Sequence, residues 1–155
     1  MPPDLKEELK QQKPFKSVQE EAQLNIVRTS HVLIDAFEQM LKPYGITGTQ
    51  YNVLRILRGA EPAGLCRNEV SQRMINRMPD ATRLLDRMEE GGLVTRARDT
   101  GDRRLVTTQI TKKGRHLVDS LDEVVERQHE RQLGHLTDKQ LKTLAELLTL
   151  VRNKV

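Results

Sequence analysis

The 155-residue chain carries 26 Lys/Arg against 22 Asp/Glu, is 36% hydrophobic, and holds two Phe, two Tyr and no Trp. That length suits one domain with a modest core, and the single cysteine, Cys66, excludes an intramolecular disulfide and fits a reducing compartment. With no signal peptide and no long apolar run, a cytoplasmic protein that does not enter a membrane is expected.

The apolar residues are mostly Leu, Val, Ile and Met at helical spacing, which predicts a mainly helical fold. Residues 1–16 are polar, contain three prolines and lack a sustained apolar period, so they read as a flexible arm or a docking segment. A helix is predicted from Ser17 to Lys42, with Val18, Ala22, Ile26, Val27, Leu33, Ile34, Phe37 and Leu41 as its apolar residues. The run "ITGTQYNVLRILRG" follows. In it Thr47 and Gln50 have capping-box spacing, and Tyr51, Leu54, Ile56 and Leu57 form the apolar face. "EPAGLCRNEVSQRMI" reads as a loop and a short helix capped near Cys66, with Glu69 placed to answer the cap. The link "NRM" is short enough for a tight turn only, which gives a helix-turn-helix pattern.

The next helix is expected to start with Pro79 at its first position. At about 100° per residue, Ala81, Leu84, Leu85 and Met88 project within about 50° of one direction. Thr82, Arg83, Asp86 and Glu90 gather opposite, with Arg87 on one flank. Gly91-Gly92 supplies the left-handed backbone that stops the helix. "LVTRAR" and "RRLVTTQI" then read as two strands around the Asp/Gly turn "DTGD". Thr111 caps a long helix to about Leu133, striped by Leu117, Val118, Leu121, Val124 and Val125. Thr137 and Gln140 repeat the capping box before a last helix lined by Leu141, Leu144, Leu147, Leu148 and Val151. The stripes at the two chain ends find too few partners in a small domain, which suggests a two-fold homodimer core; terminal helices folded back on a monomer are the alternative.

Charge is unevenly placed. From Cys66 to Arg115 there are twelve Lys/Arg against seven Asp/Glu, a balance of +5, while the remaining fourteen and fifteen leave −1. A basic excess confined to the middle third points to a polyanion, most simply nucleic acid.

The order of elements resembles the MarR family of winged helix-turn-helix transcriptional regulators over about Ser17 to Arg152. The stretch "TRLLDRMEEGGLVTRARDTGDRRLVTTQITKKG" looks like that family's recognition helix, wing and following helix. Asp102 and Arg104 match its D-x-R wing tip, and "ITGTQYNVLRIL" is similar to its second-helix opening. The resemblance implies a mainly α fold with a small β-hairpin wing. It divides the chain into an N-terminal arm (1–16), a dimerisation helix (17–46), a winged helix-turn-helix DNA-binding domain (47–110) and dimerisation helices (111–155).

The residue types suit that role. The major groove admits one α-helix, whose first turns reach base edges and phosphates. Thr82 can meet a phosphate or a thymine methyl, and Arg83 and Arg87 can reach phosphate or guanine. Asp80 can accept from cytosine or, equally, stabilise the helix start. A hairpin beside that helix reaches the adjacent minor groove, whose negative potential favours arginine. By resemblance Arg104 is the wing arginine, held by Asp102, with Arg103 next to the phosphates. Arg96 and Arg98 are equally open to structural and DNA-contacting roles, as are Lys112 and Lys113.

Cys66 is either a small semi-buried cap or, because a helix start can lower a thiol pKa, an oxidant sensor. The family's sensing cysteine lies in the first helix, which here has none. Glu126, His129 and Glu130 could meet on one helix face, but a solvated face is the commoner arrangement, so no metal is expected. The resemblance also allows a small-molecule cleft near Arg28, His31 and Tyr51. The chain is therefore expected to be a homodimeric repressor of palindromic double-stranded DNA, modulated by a small aromatic or anionic effector and using no cofactor. A winged-helix module that binds protein, or a redox-responsive regulator acting through Cys66, are the alternatives. No phosphate loop, metal-ligand cluster or nucleophile–base motif argues for an enzyme.

Overall fold

The computed structural model describes residues 2–154, so the first residue of the arm and the last of the final segment lie outside it. Seven α-helices and a three-stranded antiparallel sheet make up the described chain, as the mainly α reading with a small β element requires. It divides into two compact units, one running to Pro43 and the other starting at Tyr44.

The first unit holds α1 (Leu5–Glu8) and α2 (Val18–Leu41). Within the arm, Asp4 caps the single turn of α1, and Glu8 pairs with Arg28 of α2 at 3.6 Å. Ser17 starts α2 by accepting the Glu20 N–H.

The second unit runs through α3 (Gly48–Gly59), β1 (Leu65–Cys66), α4 (Arg67–Arg73), α5 (Thr82–Glu90), β2 (Val94–Arg98), β3 (Val106–Ile110), α6 (Lys112–Leu133) and α7 (Asp138–Arg152). Thr47, Thr111 and Thr137 each cap a helix by accepting an N–H three residues on. Gln50 and Gln140 return the bond to the Thr47 and Thr137 amides at 3.1 and 2.9 Å, completing both capping boxes. The core is the meeting of Val53, Leu54 and Leu57 with Val70, Leu85, Met88, Val118 and Leu121, all closed to solvent. Each such side chain contributes about 1.5–3 kcal/mol of transfer free energy.

Three local expectations need correction. First, α5 starts at Thr82 and not at Pro79. The Asp80 carboxylate takes both the Thr82 N–H (2.9 Å) and its hydroxyl (2.6 Å), closing a side-chain turn that competes with an earlier helical start. Second, the link between α4 and α5 is not a three-residue turn but runs from Met74, in extended conformation, to Ala81. The Ile75 N–H donates to Asn52 Oδ1 of α3 at 2.9 Å, which holds this longer link to the core. Third, the strands are shorter than expected and number three. Their ladder ends at Arg98↔Val106, and β1 pairs with β3 through Leu65↔Thr108, giving the order β1-β3-β2. A two-residue strand is too short to show a period, which is why β1 left no trace in the sequence.

The C-terminal end of α5 is joined firmly to the start of α6. Gly92 adopts φ +73°, as the helix stop requires. The Thr111 hydroxyl donates to the Gly92 carbonyl at 2.6 Å, the Thr111 N–H to the Leu93 carbonyl at 3.1 Å, and Lys113 Nζ to the Gly91 carbonyl at 2.8 Å. Lys113 is thus a structural cap on α5. Gly114 is buried where a Cβ would collide with the Leu93 carbonyl and press on Ile110 and Leu54.

By contrast, α7 buries none of its described residues; Leu147 and Leu150 are 56% and 64% exposed, and Leu144 and Val151 are also open. On α2, Val27, Val32 and Ile34 are exposed as well. No described helix is long and apolar enough to cross a membrane.

Candidate nucleic-acid interface

Two structures project from the second unit beside one another: the N-terminal half of α5 and the hairpin of β2 and β3. Sequence dictates both. Ala81, Leu85 and Met88 bury one side of α5, leaving Thr82, Arg83 and Arg87 on its outer side, with Arg83 and Arg87 exposed one turn apart. Leu84, expected on the inner face, is only half-buried.

The hairpin tip is shaped by two aspartates. Asp99 Oδ1 accepts from the Gly101 N–H (2.6 Å) and the Asp102 N–H (3.3 Å), and Asp102 Oδ1 accepts from the Arg104 N–H at 2.9 Å. The Asp99 N–H still reaches the Leu105 carbonyl at 2.8 Å, but the Leu105 N–H turns to the Asp102 carbonyl at 3.0 Å, and there the pairing of β2 with β3 ends. Asp102 therefore holds the backbone of Arg104 and leaves its guanidinium unengaged. Arg103 and Arg104 stand exposed at the tip.

Ion pairing sorts the arginines into two sets. Arg96, on β2, is fixed: Nη2 reaches Asp86 at 2.6 Å and Glu89 at 3.0 Å, and its own N–H donates to Glu89 at 3.0 Å. Its side chain is 24% exposed, and the two carboxylates raise its pKa further above the ordinary arginine range. This clamp ties hairpin to helix and settles Arg96 as structural. Arg58 is similarly held by Asp122 and Asp119 at 2.8–3.0 Å, and Arg115 by Glu61 with Nε at 3.1 Å. Among the described residues, Arg83, Arg87, Arg103 and Arg104 make no salt bridge within 4 Å. On these two projections they are exposed cations open to an external anion. Arg98 is likewise exposed and without an ion pair among the described residues.

The start of α5 has a further participant that no sequence pattern marks. Arg67, the first residue of α4, donates from Nη1 to Thr82 Oγ1 at 2.8 Å and lies 3.8 Å from Asp80. Thr82 accepts from Arg67 while donating to Asp80, so its hydroxyl proton is already engaged. Hydrogen bonds from the Thr82 side chain and backbone, then the charges of Arg67 and Arg83, hold the Asp80 carboxyl below its ordinary range. The one available signal was position: a residue just past the Cys66 cap faces whatever follows the helix-turn-helix link.

Cys66 occupies the cap position of α4, where its N–H donates to Glu69 Oε2 at 2.8 Å, lowering the Glu69 pKa. Of the residues suggested for an effector cleft, Arg28 pairs with Glu8, while Tyr51 is buried, which raises its pKa. His31 is exposed. Among the described residues, no three His, Cys, Asp or Glu side chains come together as a metal site.

Comparison with known proteins agrees with this geometry. The family model for the transcriptional regulator SarA/Rot matches residues 35–121. A MarR transcription factor from Planctomyces limnophilus is 37% identical, with a TM-score of 0.68, 88% of this chain covered and 99% of that one. CouR from Rhodococcus jostii RHA1, solved with p-coumaroyl-CoA, is 25% identical with a TM-score of 0.73, covering 88% of this chain and 95% of that one. The transcriptional repressor MprA of Escherichia coli K12 is 32% identical over 97 residues, which are 63% of this chain and 53% of that protein. The chain thus spans about half the length of that curated relative.

Proposed function

The chain belongs to the MarR family of winged helix-turn-helix transcriptional regulators, and from that premise we propose that it is a cytoplasmic homodimeric repressor of palindromic double-stranded DNA. The observation that carries the proposal is the placing of four exposed arginines in no salt bridge among the described residues, Arg83, Arg87, Arg103 and Arg104, on two adjacent projections, beside an Arg96 that Asp86 and Glu89 neutralise. In this reading α5 enters the major groove and presents Asp80, Thr82, Arg83 and Arg87. The hairpin enters the neighbouring minor groove with Arg104 at its tip, Asp102 shaping the turn and Arg103 beside the phosphates. Asp80 acts mainly by holding the first turn of α5. The open apolar faces of α7 and α2 serve as dimerisation surfaces, and dimer symmetry requires half-sites one or two helical turns apart. The repressor role follows the name of MprA, and a small aromatic or anionic effector follows the p-coumaroyl-CoA held by CouR.

A mobility-shift titration against the DNA upstream of the chain's own gene tests this. We expect a single footprint with two-fold symmetry and affinity that falls with salt by a slope of about −0.9 per phosphate neutralised. Arg104→Ala should lower affinity and flatten that slope, whereas Arg83→Ala should cost roughly 10-fold on the footprinted sequence and relax discrimination against scrambled DNA. Wild-type affinity and slope in Arg104→Ala would sink the hairpin assignment.

A further inference from the structure

Between the two projections lies an open cleft of ≈ 310 Å³, and Arg67, Asn68 and Thr82 on one side face Arg104, Leu105 and Val106 on the other. Its floor includes Thr108, buried with its hydroxyl unpartnered among the described residues. Arg96 also lines it, but Asp86 and Glu89 already answer that charge. The cations facing the cleft without such close neutralisation are Arg67, 3.8 Å from a carboxylate, and Arg104.

A duplex that receives α5 in its major groove and the hairpin in the adjacent minor groove has a sugar–phosphate strand separating the two. That strand must cross this cleft. We infer that Arg67 grips a phosphodiester of the crossing strand while bracing Thr82, making it a positioning residue for the recognition helix. The inference rests on the DNA-binding function proposed above and adds a residue to it. A guanidinium has five N–H donors in a planar fork, and Thr82 takes one. The remaining donors match the paired oxygens of a phosphate, so one side chain joins the backbone contact to the first residue of α5. The Arg67 side chain is 55% exposed, so a strand in the cleft can reach it without rearrangement of the core.

The test is a salt series of anisotropy titrations with the full chain, using two labelled duplexes: the gene's own upstream DNA and a scrambled sequence of equal length. Arg67→Gln and Arg67→Met (which keeps the aliphatic stem) should weaken binding to both duplexes by a similar factor. Each should reduce the salt slope by about 0.9 per protomer. Arg67→Lys should restore the slope because the charge returns. If both charge-free variants fold and keep the wild-type slope, Arg67 serves only to hold Thr82 and the inference is overturned. Arg67→Lys behaving like Arg67→Gln in slope would overturn it also. Failure of the wild-type chain to bind either duplex is a different result, and removes the DNA-binding function itself.

Discussion

The winged lobe and the last helix are built from the same residue types and treat them in opposite ways. In α3, Val53, Leu54 and Leu57 are completely enclosed, and in α6 so are Val118 and Leu121. In α7, a helix of 15 residues with equally regular leucines, nothing described is buried. Regular apolar spacing therefore says that a helix has a face to cover but not whether its own chain supplies the cover. The lobe finds its partners locally. The last helix leaves Leu144, Leu147, Leu150 and Val151 open, and in the proposed assembly the second copy covers them.

The strongest way to break that contrast is to charge the open face. Leu147→Asp combined with Leu150→Asp should leave the lobe folded and yield monomers by sedimentation velocity. Affinity for a palindromic duplex should fall on the order of 10²–10⁴-fold as the second half-site is lost. Retention of a dimer would assign the exposed leucines to some other partner. Next in size is an insult to the enclosed lobe. Gly114→Ala places a methyl against the Leu93 carbonyl, Ile110 and Leu54 and should cost about 1–3 kcal/mol by denaturant titration. The smallest effect should come from Arg96→Gln, which unties α5 from β2 at the half-exposed edge of the lobe. Its melting temperature should drop less than that of Gly114→Ala.

The Arg96 clamp also has a defined pH window. Arg96, first through its side-chain hydrogen bond, holds the Glu89 carboxyl below its ordinary 4.5. A carboxylate with a lowered folded-state pKa contributes stability that is fully present above the unfolded value and lost as pH falls through the folded one. Wild type and Arg96→Gln should therefore differ in melting temperature at neutral pH and converge as the pH falls from 4.5 through the lowered folded-state value of Glu89. A difference that persists undiminished in acid would mean that packing of the arginine stem, not the ion pair, joins hairpin to helix.

Much of this organisation was legible in the sequence because it rests on short-range rules. The caps at Thr47, Thr111 and Thr137 need only a hydroxyl and an amide three residues on, so spacing alone placed three helix starts. The inner face of α5 followed from its period. Features that depend on distant partners were hidden. Cys66 and Leu65 pair with Thr107 and Thr108, about forty residues away, and two residues carry no pattern of their own. Arg96 looked like Arg98 until Asp86 and Glu89 were seen around it. Pro79 suits a helix start, yet the Asp80 side chain offered Thr82 a stronger local bond. Arg67 escaped notice because its role comes from a neighbour fifteen residues on.

The welding of Gly91, Gly92 and Leu93 to Thr111 and Lys113 has a mechanical consequence. With 22 residues, α6 is a rod about 33 Å long whose near end is bolted to the tail of α5. Rocking that rod by about five degrees sweeps its far end through about 3 Å, on the scale of one base-pair step. In the proposed dimer, anything that shifts the fulcrum between the two copies would swing both copies of α5 together, with no need to unravel either one.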